Sequence, residues 1–320
     1  LKEFMSIYPE IHQGRSGSLP AKTAFKQYIR YVKGQSKEAQ EAFWRGYLAG
    51  FETKTQLPAD KRKKHGQSSI SRYGLSLSRD VTGQVAALAR SLDSTVAAVI
   101  YSAWGTLLHR YGNVEDVMFG TTVSGRIPEI AGIDRMVGLF INTLPLRVIV
   151  NGRRTVGELV RDVNRSIIDR DAYQSTPLAE MRAYSGFAGK EALFDSIVVI
   201  ENYPLDQAVA GVDKTLRMTG HAMAESTHYP LALSVINLDP LVFELQYDNE
   251  LFRSETVDRL AAHFKRILEE MATGAERSMS DIRMLDEQEE TRLIVERNRS
   301  DRPFLPYASV HEMFEEQARK

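Results

Sequence analysis

Val137-Gly138-Leu139-Phe140-Ile141-Asn142-Thr143-Leu144-Pro145-Leu146-Arg147-Val148-Ile149-Val150 decides how this chain folds. Leu144, Leu146, Val148 and Val150 recur at every second position, the period of a β-strand. Pro145 sits inside the run and has no N–H to give to a ladder, so the strand belongs at a sheet edge or a bulge. Asn142 and Thr143 interrupt the apolar pattern, and a buried Asn must find hydrogen-bond partners. Breaches of local rules concentrate at functional sites. The plainer alternative, an edge strand with a polar outer face, stays open.

Upstream, residues 115–123 read as another strand, followed by the loop Ser124-Gly125-Arg126-Ile127-Pro128-Glu129. Residues 95–111 form a helix that is apolar nearly all round, so it is expected at the centre of the core, with Gly112 as its stop. Ser78 caps a helix whose stripe is Val81, Val85, Leu88 and Leu92, and Leu75 and Leu77 suggest a short strand before it. From Thr23 to Phe51, apolar and aromatic residues recur at helical spacing up to Gly50. Residues 1–20 hold a short amphipathic piece and a loop of breakers. Residues 52–72 are polar, and the run Lys61-Arg62-Lys63-Lys64-His65 is a solvated loop or a patch for an anionic partner.

Downstream, Thr155 and Glu158 make a capping box for a helix carrying Val156, Leu159, Val163 and Ile167. Phe194–Ile200 reads as a short buried strand, and Leu231–Leu238 with Leu241–Asp248 as a hairpin around Asp239-Pro240. Ser254 is expected to cap a helix with Val257, Leu260, Phe264, Ile267 and Met271 on one stripe, and Ser309 with Glu312 opens the last one. The mixture of βα units with a hairpin favours an α/β fold with a mixed β-sheet covered by helices over a purely parallel doubly wound one.

The composition narrows the function. Among 320 residues, Lys+Arg 41 against Asp+Glu 42 leaves no basic excess, so no nucleic-acid partner is expected. Cys 0 excludes a thiol nucleophile, a disulfide framework and any Cys-ligated metal. No apolar run reaches the ~18–20 residues of a membrane span. The start, Leu1-Lys2-Glu3-Phe4-Met5, is neither a signal nor a transit peptide and lacks an initiator Met. A soluble cytoplasmic protein, cut from something longer, is the expectation. P-loop, dinucleotide, His-Glu-x-x-His and Gly-x-Ser-x-Gly signatures are all missing. His109, His228 and His263 stand alone in the sequence and read as packing or surface residues; no metal site is expected. Chemistry alone therefore yields no catalytic constellation.

Five segments carry a resemblance. Val137–Arg147 resembles the GxFVNT…R motif of the condensation domains of nonribosomal peptide synthetases. Phe25–Tyr31 is similar to their YxDYAxW helix, and Phe43–Gly50 to YWxxxLAG. Asp171–Leu178 resembles HQxxPFE, and Phe194–Pro204 the FDxxxxxENYP strand. The stretch Val310–Ala318 looks like the lead into an adenylation domain. The family's catalytic HHxxxDG has no counterpart here: there is no adjacent His pair and no Asp-Gly.

The resemblance implies a chloramphenicol-acetyltransferase-like lobe, the C-terminal one of the two that form such a domain. Residues 1–72 would be an interlobe helical linker region, 73–285 the lobe and 286–320 a linker toward an adenylation domain. The implied reaction is amide formation between acyl groups on phosphopantetheine arms of donor and acceptor peptidyl carrier domains, an acyltransferase chemistry. No cofactor binds directly. No catalytic residue is assigned in this chain, which alone is expected to be inactive. Ser124, Gly125, Arg126, Gly138, Asn142 and Asn202 are expected to line the substrate tunnel. Arg126 has the alternative role of an interlobe salt bridge, and Asn142 of capping a strand end. Thr227–Leu231 resembles the form found with L-configured donors. Implied partners are the N-terminal lobe, both carriers and the adenylation domain. A non-catalytic interaction module, part of an epimerisation domain and a coenzyme A-dependent acetyltransferase remain the alternatives. An uncovered interlobe face should leave an exposed apolar patch.

Overall fold

The computed structural model describes residues 2–17, 19, 21–61, 69–186, 192–200, 227–299 and 309–320. The chain divides into two compact units, Leu1–Met284 and Leu285–Lys320. In the first, helices α1 (Lys2–His12), α2 (Lys26–Gly34) and α3 (Lys37–Leu48) precede strand β1 (Ile70–Ser76). Helices α4 (Arg79–Ser91) and α5 (Val96–Gly112), strands β2 (Asp116–Val123) and β3 (Asn142–Ile149), and helices α6 (Val156–Asp171) and α7 (Leu178–Tyr184) follow. Strands β4 (Ser196–Ile200), β5 (Leu231–Leu238) and β6 (Leu241–Asp248) and helix α8 (Ser254–Ala272) complete it. The second unit holds α9 (Glu287–Thr291) and α10 (Val310–Arg319) among its described residues.

The strands form one mixed sheet in the order β1-β6-β5-β4-β2-β3. Pairing is parallel at β2·β4 and β4·β5 and antiparallel elsewhere. The all-round apolar helix is central, as its sequence requires. Ala98–Leu108 of α5 is buried throughout and packs with Phe119, Val148, Leu233, Phe243 and Phe264. Val257, Leu260, Phe264, Ile267 and Met271 of α8 close the same layer. At about 1.5–3 kcal/mol for each large apolar side chain fully buried, this layer dominates the stability of the fold. The opposite sheet face carries a smaller core, in which Trp44 and Leu48 of α3 meet Met118, Leu144, Met181, Phe194 and Ile197.

Pro145 does lie on an edge strand, and side chains close that edge. Its carbonyl accepts from Arg170 Nη1 at 2.7 Å. The Arg147 amide donates to the Tyr47 hydroxyl at 2.9 Å, and the Thr143 amide to Asn142 Oδ1 at 2.9 Å. An edge satisfied in this way offers little to an invading strand. Arg147 also grips both oxygens of Asp116, at 2.8 and 2.7 Å, and donates to the carbonyl of Ala49 at 2.7 Å. It thereby ties the end of α3 to the sheet, and the Asp116 carboxylate raises its pKa.

Arg170 is 2% exposed and also donates to the Ser166 carbonyl and Thr121 Oγ1. Burial pushes its pKa down. Arg170→Met is expected to cost about 2 kcal/mol. It relieves a buried charge but leaves the Pro145 carbonyl without a donor. Urea unfolding checks this, and a variant as stable as the parent refutes it.

Four details depart from the sequence reading. The helix expected from Thr23 to Phe51 is two helices, because Ser36 turns extended and caps α3 through the Ala39 amide. The strand expected from Val137 begins at Asn142: β2 ends at Val123, opposite Asn142, and leaves 137–141 without a ladder partner. β1 runs across residues 72 and 73, because β6 supplies partners for all of Ile70–Ser76. Ser254 does not cap α8; Asp60 accepts from the Arg253 amide and from the Thr256 hydroxyl, both at 2.8 Å. The capping box of α6, the Ser309 cap of α10, the central helix and the hairpin stand where the sequence places them.

Candidate functional site

β2 and β4 run parallel, with Gly120 opposite Ile197 and Thr121 opposite Val198. Their carboxyl ends therefore reach the same border of the sheet, where β3 also begins. Open α/β sheets place their ligands at such carboxyl ends. Ser124, Gly125, Arg126 and Asn142 meet at this border, and Gly138 lies at a bend in the segment leading into it. Asn202 follows β4 by two residues in the sequence and lies outside the described residues.

The local geometry explains why these residue types stand here. Gly125 has φ +62, and a Cβ on it would come 1.8 Å from the Phe140 carbonyl oxygen. Only glycine lets the 124–126 loop lie flat against the segment before β3. Ser124 is exposed, and its Oγ accepts from the Arg126 amide at 3.3 Å. The Arg126 guanidinium stands 4.5 Å over the Phe140 ring and donates to the carbonyls of Ile133 and Met136. Over Gly138 lies the ring of Phe25, 2.1 Å from where a Cβ would sit. Phe25 and Tyr28 both meet Phe140 edge-on, with centroids 5.1 and 4.8 Å away. A satellite core of Tyr28, Ile127, Ile130, Ile133, Met136 and Phe140 thus fastens α2 onto the loop.

Asn142 is half-buried. Its Nδ2 donates to the carbonyls of Gln174 and Thr176 at 2.8 and 2.7 Å. It caps the start of β3 and ties residues 174–176 to the sheet. All five described candidates therefore make contacts within the chain at this border. Thr122 and Thr143, half-buried and opposite each other on β2 and β3, are polar groups of this border that the sequence reading did not single out together. Their shared position depends on a register that only the sheet reveals.

On its outer side the segment before β3 exposes Val137 by 70%, Leu139 by 81% and Ile141 by 54%. The alternate residues Met136 and Phe140 are buried. Three large apolar side chains facing water form an exposed patch of the kind that interaction sites display.

Neither His109, His228 nor His263 stands at this border as a base. His109 Nδ1 pairs with the Val114 carbonyl, and His263 Nδ1 with the Tyr111 hydroxyl, both at 2.7 Å. His228 lies against the Tyr229 ring before the start of β5, toward the opposite border. Burial pushes the phenols of Tyr101 and Tyr229 up to about 12, too high for a base near neutral pH. Among the described residues no cluster of three His, Asp or Glu could hold a metal ion.

A profile described as "Condensation domain" matches residues 1–294. The chain belongs to the condensation-domain family. It is 33% identical over 324 residues to tyrocidine synthase 2 from Brevibacillus parabrevis, covering 99% of this chain and 9% of that protein. It is 30% identical over 322 residues to bacitracin synthase 3 from Bacillus licheniformis, covering 100% of this chain and 5% of the relative. The chain therefore spans a small fraction of these synthases. Its fold is that of the first condensation domain of the CDA synthetase, with a TM-score of 0.71 at 18% identity over 89% of this chain and 63% of that one. The carboxyl border thus lies within a condensation-domain fold.

Proposed function

We propose that this condensation-domain chain forms one wall of a site in which two carrier-bound acyl groups are joined by an amide bond. The observation that carries the reading is the carboxyl border itself. There the condensation motif Gly138–Arg147, the Ser124-Gly125-Arg126 loop and an exposed apolar stripe converge. In the reaction, the amine nitrogen of one aminoacyl group attacks the thioester carbonyl of the other. The C–N bond forms, the C–S bond breaks, and the sulfur leaves on its phosphopantetheine arm as a thiol. Holding two tethered reactants at attack distance lowers the barrier by supplying their encounter in advance.

In this reading Gly125, Arg126, Gly138 and Asn142 are positioning residues that fix the wall. Ser124 is exposed at the border, and Asn202 is assigned to it from the resemblance alone. The proton of the attacking amine passes by way of a His of the HHxxxDG motif to the departing sulfur, that His standing on a lobe that covers Val137, Leu139 and Ile141. Donor and acceptor carriers deliver the substrates, and an adenylation domain lies downstream. No described helix is long and apolar enough to cross a membrane.

The test is condensation of two carrier-bound aminoacyl groups, followed by intact-protein mass spectrometry. The chain alone should give no dipeptidyl carrier. The chain fused behind a lobe bearing HHxxxDG should give it. Product from the chain alone would show that the base lies within these 320 residues and overturn the division of labour.

A further inference from the structure

α2 presents a cationic face with no acid of its own. Its residues, Lys26-Gln27-Tyr28-Ile29-Arg30-Tyr31-Val32-Lys33-Gly34, hold three cations and no carboxylate. At 3.6 residues per turn, Lys26, Arg30 and Lys33 fall within roughly 60° of one another, with Tyr28 on the opposite side. Tyr28 is buried in the satellite core, and the three cations are exposed. No ion pair links them to a carboxylate among the described residues.

Neighbouring helices treat their cations differently. Arg45 pairs with Glu41 on α3, Arg165 with Asp162 on α6 and Arg266 with Glu270 on α8. Within the loop packed under α2, Glu129 and Asp134 are exposed, and Asp134 lies 3.8 Å from its own neighbour Arg135. The cationic face is therefore not neutralised by the helix or by these acids. Its position is fixed: Phe25 on Gly138, and Tyr28 on Phe140, hold α2 directly against the carboxyl border.

We propose that Lys26, Arg30 and Lys33 hold the phosphodiester that joins a carrier's phosphopantetheine arm to the carrier. This rests on the condensation reading above and adds the surface at which one carrier arrives. A guanidinium matches two phosphate oxygens at once, and flanking ammonium groups add point charges to it. The anion stays outside while the uncharged remainder of the arm runs on to the border.

The experiment is an NMR titration of a ¹⁵N-labelled peptidyl carrier domain, apo and phosphopantetheinylated, with the full 320-residue chain. At low salt the phosphopantetheinylated carrier should bind roughly ten-fold more tightly than the apo form. The gap should close toward ~1 M salt, where the screening length is ~3 Å. The triple variant K26E/R30E/K33E should abolish the gap, and K26Q/R30Q/K33Q should narrow it. Far-UV circular dichroism of both should match the parent, since the side chains are exposed. A gap that survives in the Glu variant overturns the assignment. So does equal binding of both carrier forms to the parent, which would place the contact on the carrier's own surface. Binding of neither form would sink the condensation reading instead, and this inference with it.

Discussion

Asn142→Asp should cost the fold about 3–5 kcal/mol at pH 7 and about half of that near pH 4. The amide of Asn142 donates to two carbonyls at 2.8 and 2.7 Å. A carboxylate has no proton to donate and brings its charge against both oxygens. The protonated acid restores one of the two bonds, so the folded state favours the neutral form and raises the pKa of the new Asp above its unfolded value of ~3.9. Below ~3.9 both states hold the proton, and only one lost bond is felt. As pH rises, the unfolded chain ionises first, and stability falls until the folded Asp ionises too. Asn142→Ala removes both bonds without adding charge, at about 2 kcal/mol, and should follow the parent's pH dependence. Urea titrations between pH 4 and 8 compare the three proteins. If the Asp variant parallels the Ala variant throughout, the amide does not face two carbonyls in solution.

What the sequence made legible was local or periodic. Pro145 could be placed on an edge because a missing N–H is a property of the residue itself. Thr155 and Glu158 announced α6 because a capping box closes within one turn. The helix of residues 95–111 announced its central place because it has no polar face. Illegible features depend on partners far along the chain. Asp116, which grips Arg147, is 31 residues away, and Tyr47, which takes its amide, is 100 away. Arg170 ends a helix stripe and gives no local sign that it serves the Pro145 carbonyl. The candidate site divides in the same way. Its residues could be named from two motifs and the loop after β2, yet the roles of the described ones differ from those their types suggest. An Asn in an apolar strand and a Gly beside a cavity look like groups that face a ligand. Asn142 instead caps the strand, and Gly138 makes room for Phe25. Periodicity carries no information about a contact between a loop glycine and an aromatic ring from another helix.

Gly125→Ala should destabilise the protein by about 3 kcal/mol or more, and the damage should centre on the carboxyl border. Two effects add. At φ +62 an L-residue is strained by roughly 1–2 kcal/mol. The new methyl would also fall 1.8 Å from the Phe140 carbonyl oxygen and 2.6 Å from its carbon. Those are backbone atoms, which cannot rotate aside as a side chain does. The loop must lift from Phe140, and with it go the Arg126 guanidinium over that ring and the seat of Phe25 and Tyr28. Gly186 provides the control. It has φ +67, yet among the described residues nothing lies within 4 Å of its would-be Cβ, so Gly186→Ala reports the strain alone. The difference between the two variants then isolates the overlap. Hydrogen exchange should show lost protection in residues 124–141 and α2 of the Gly125 variant while α5 and α8 keep theirs. Equal costs for the two variants would mean that the loop does not rest on Phe140, and the wall ascribed to it would lose its anchor.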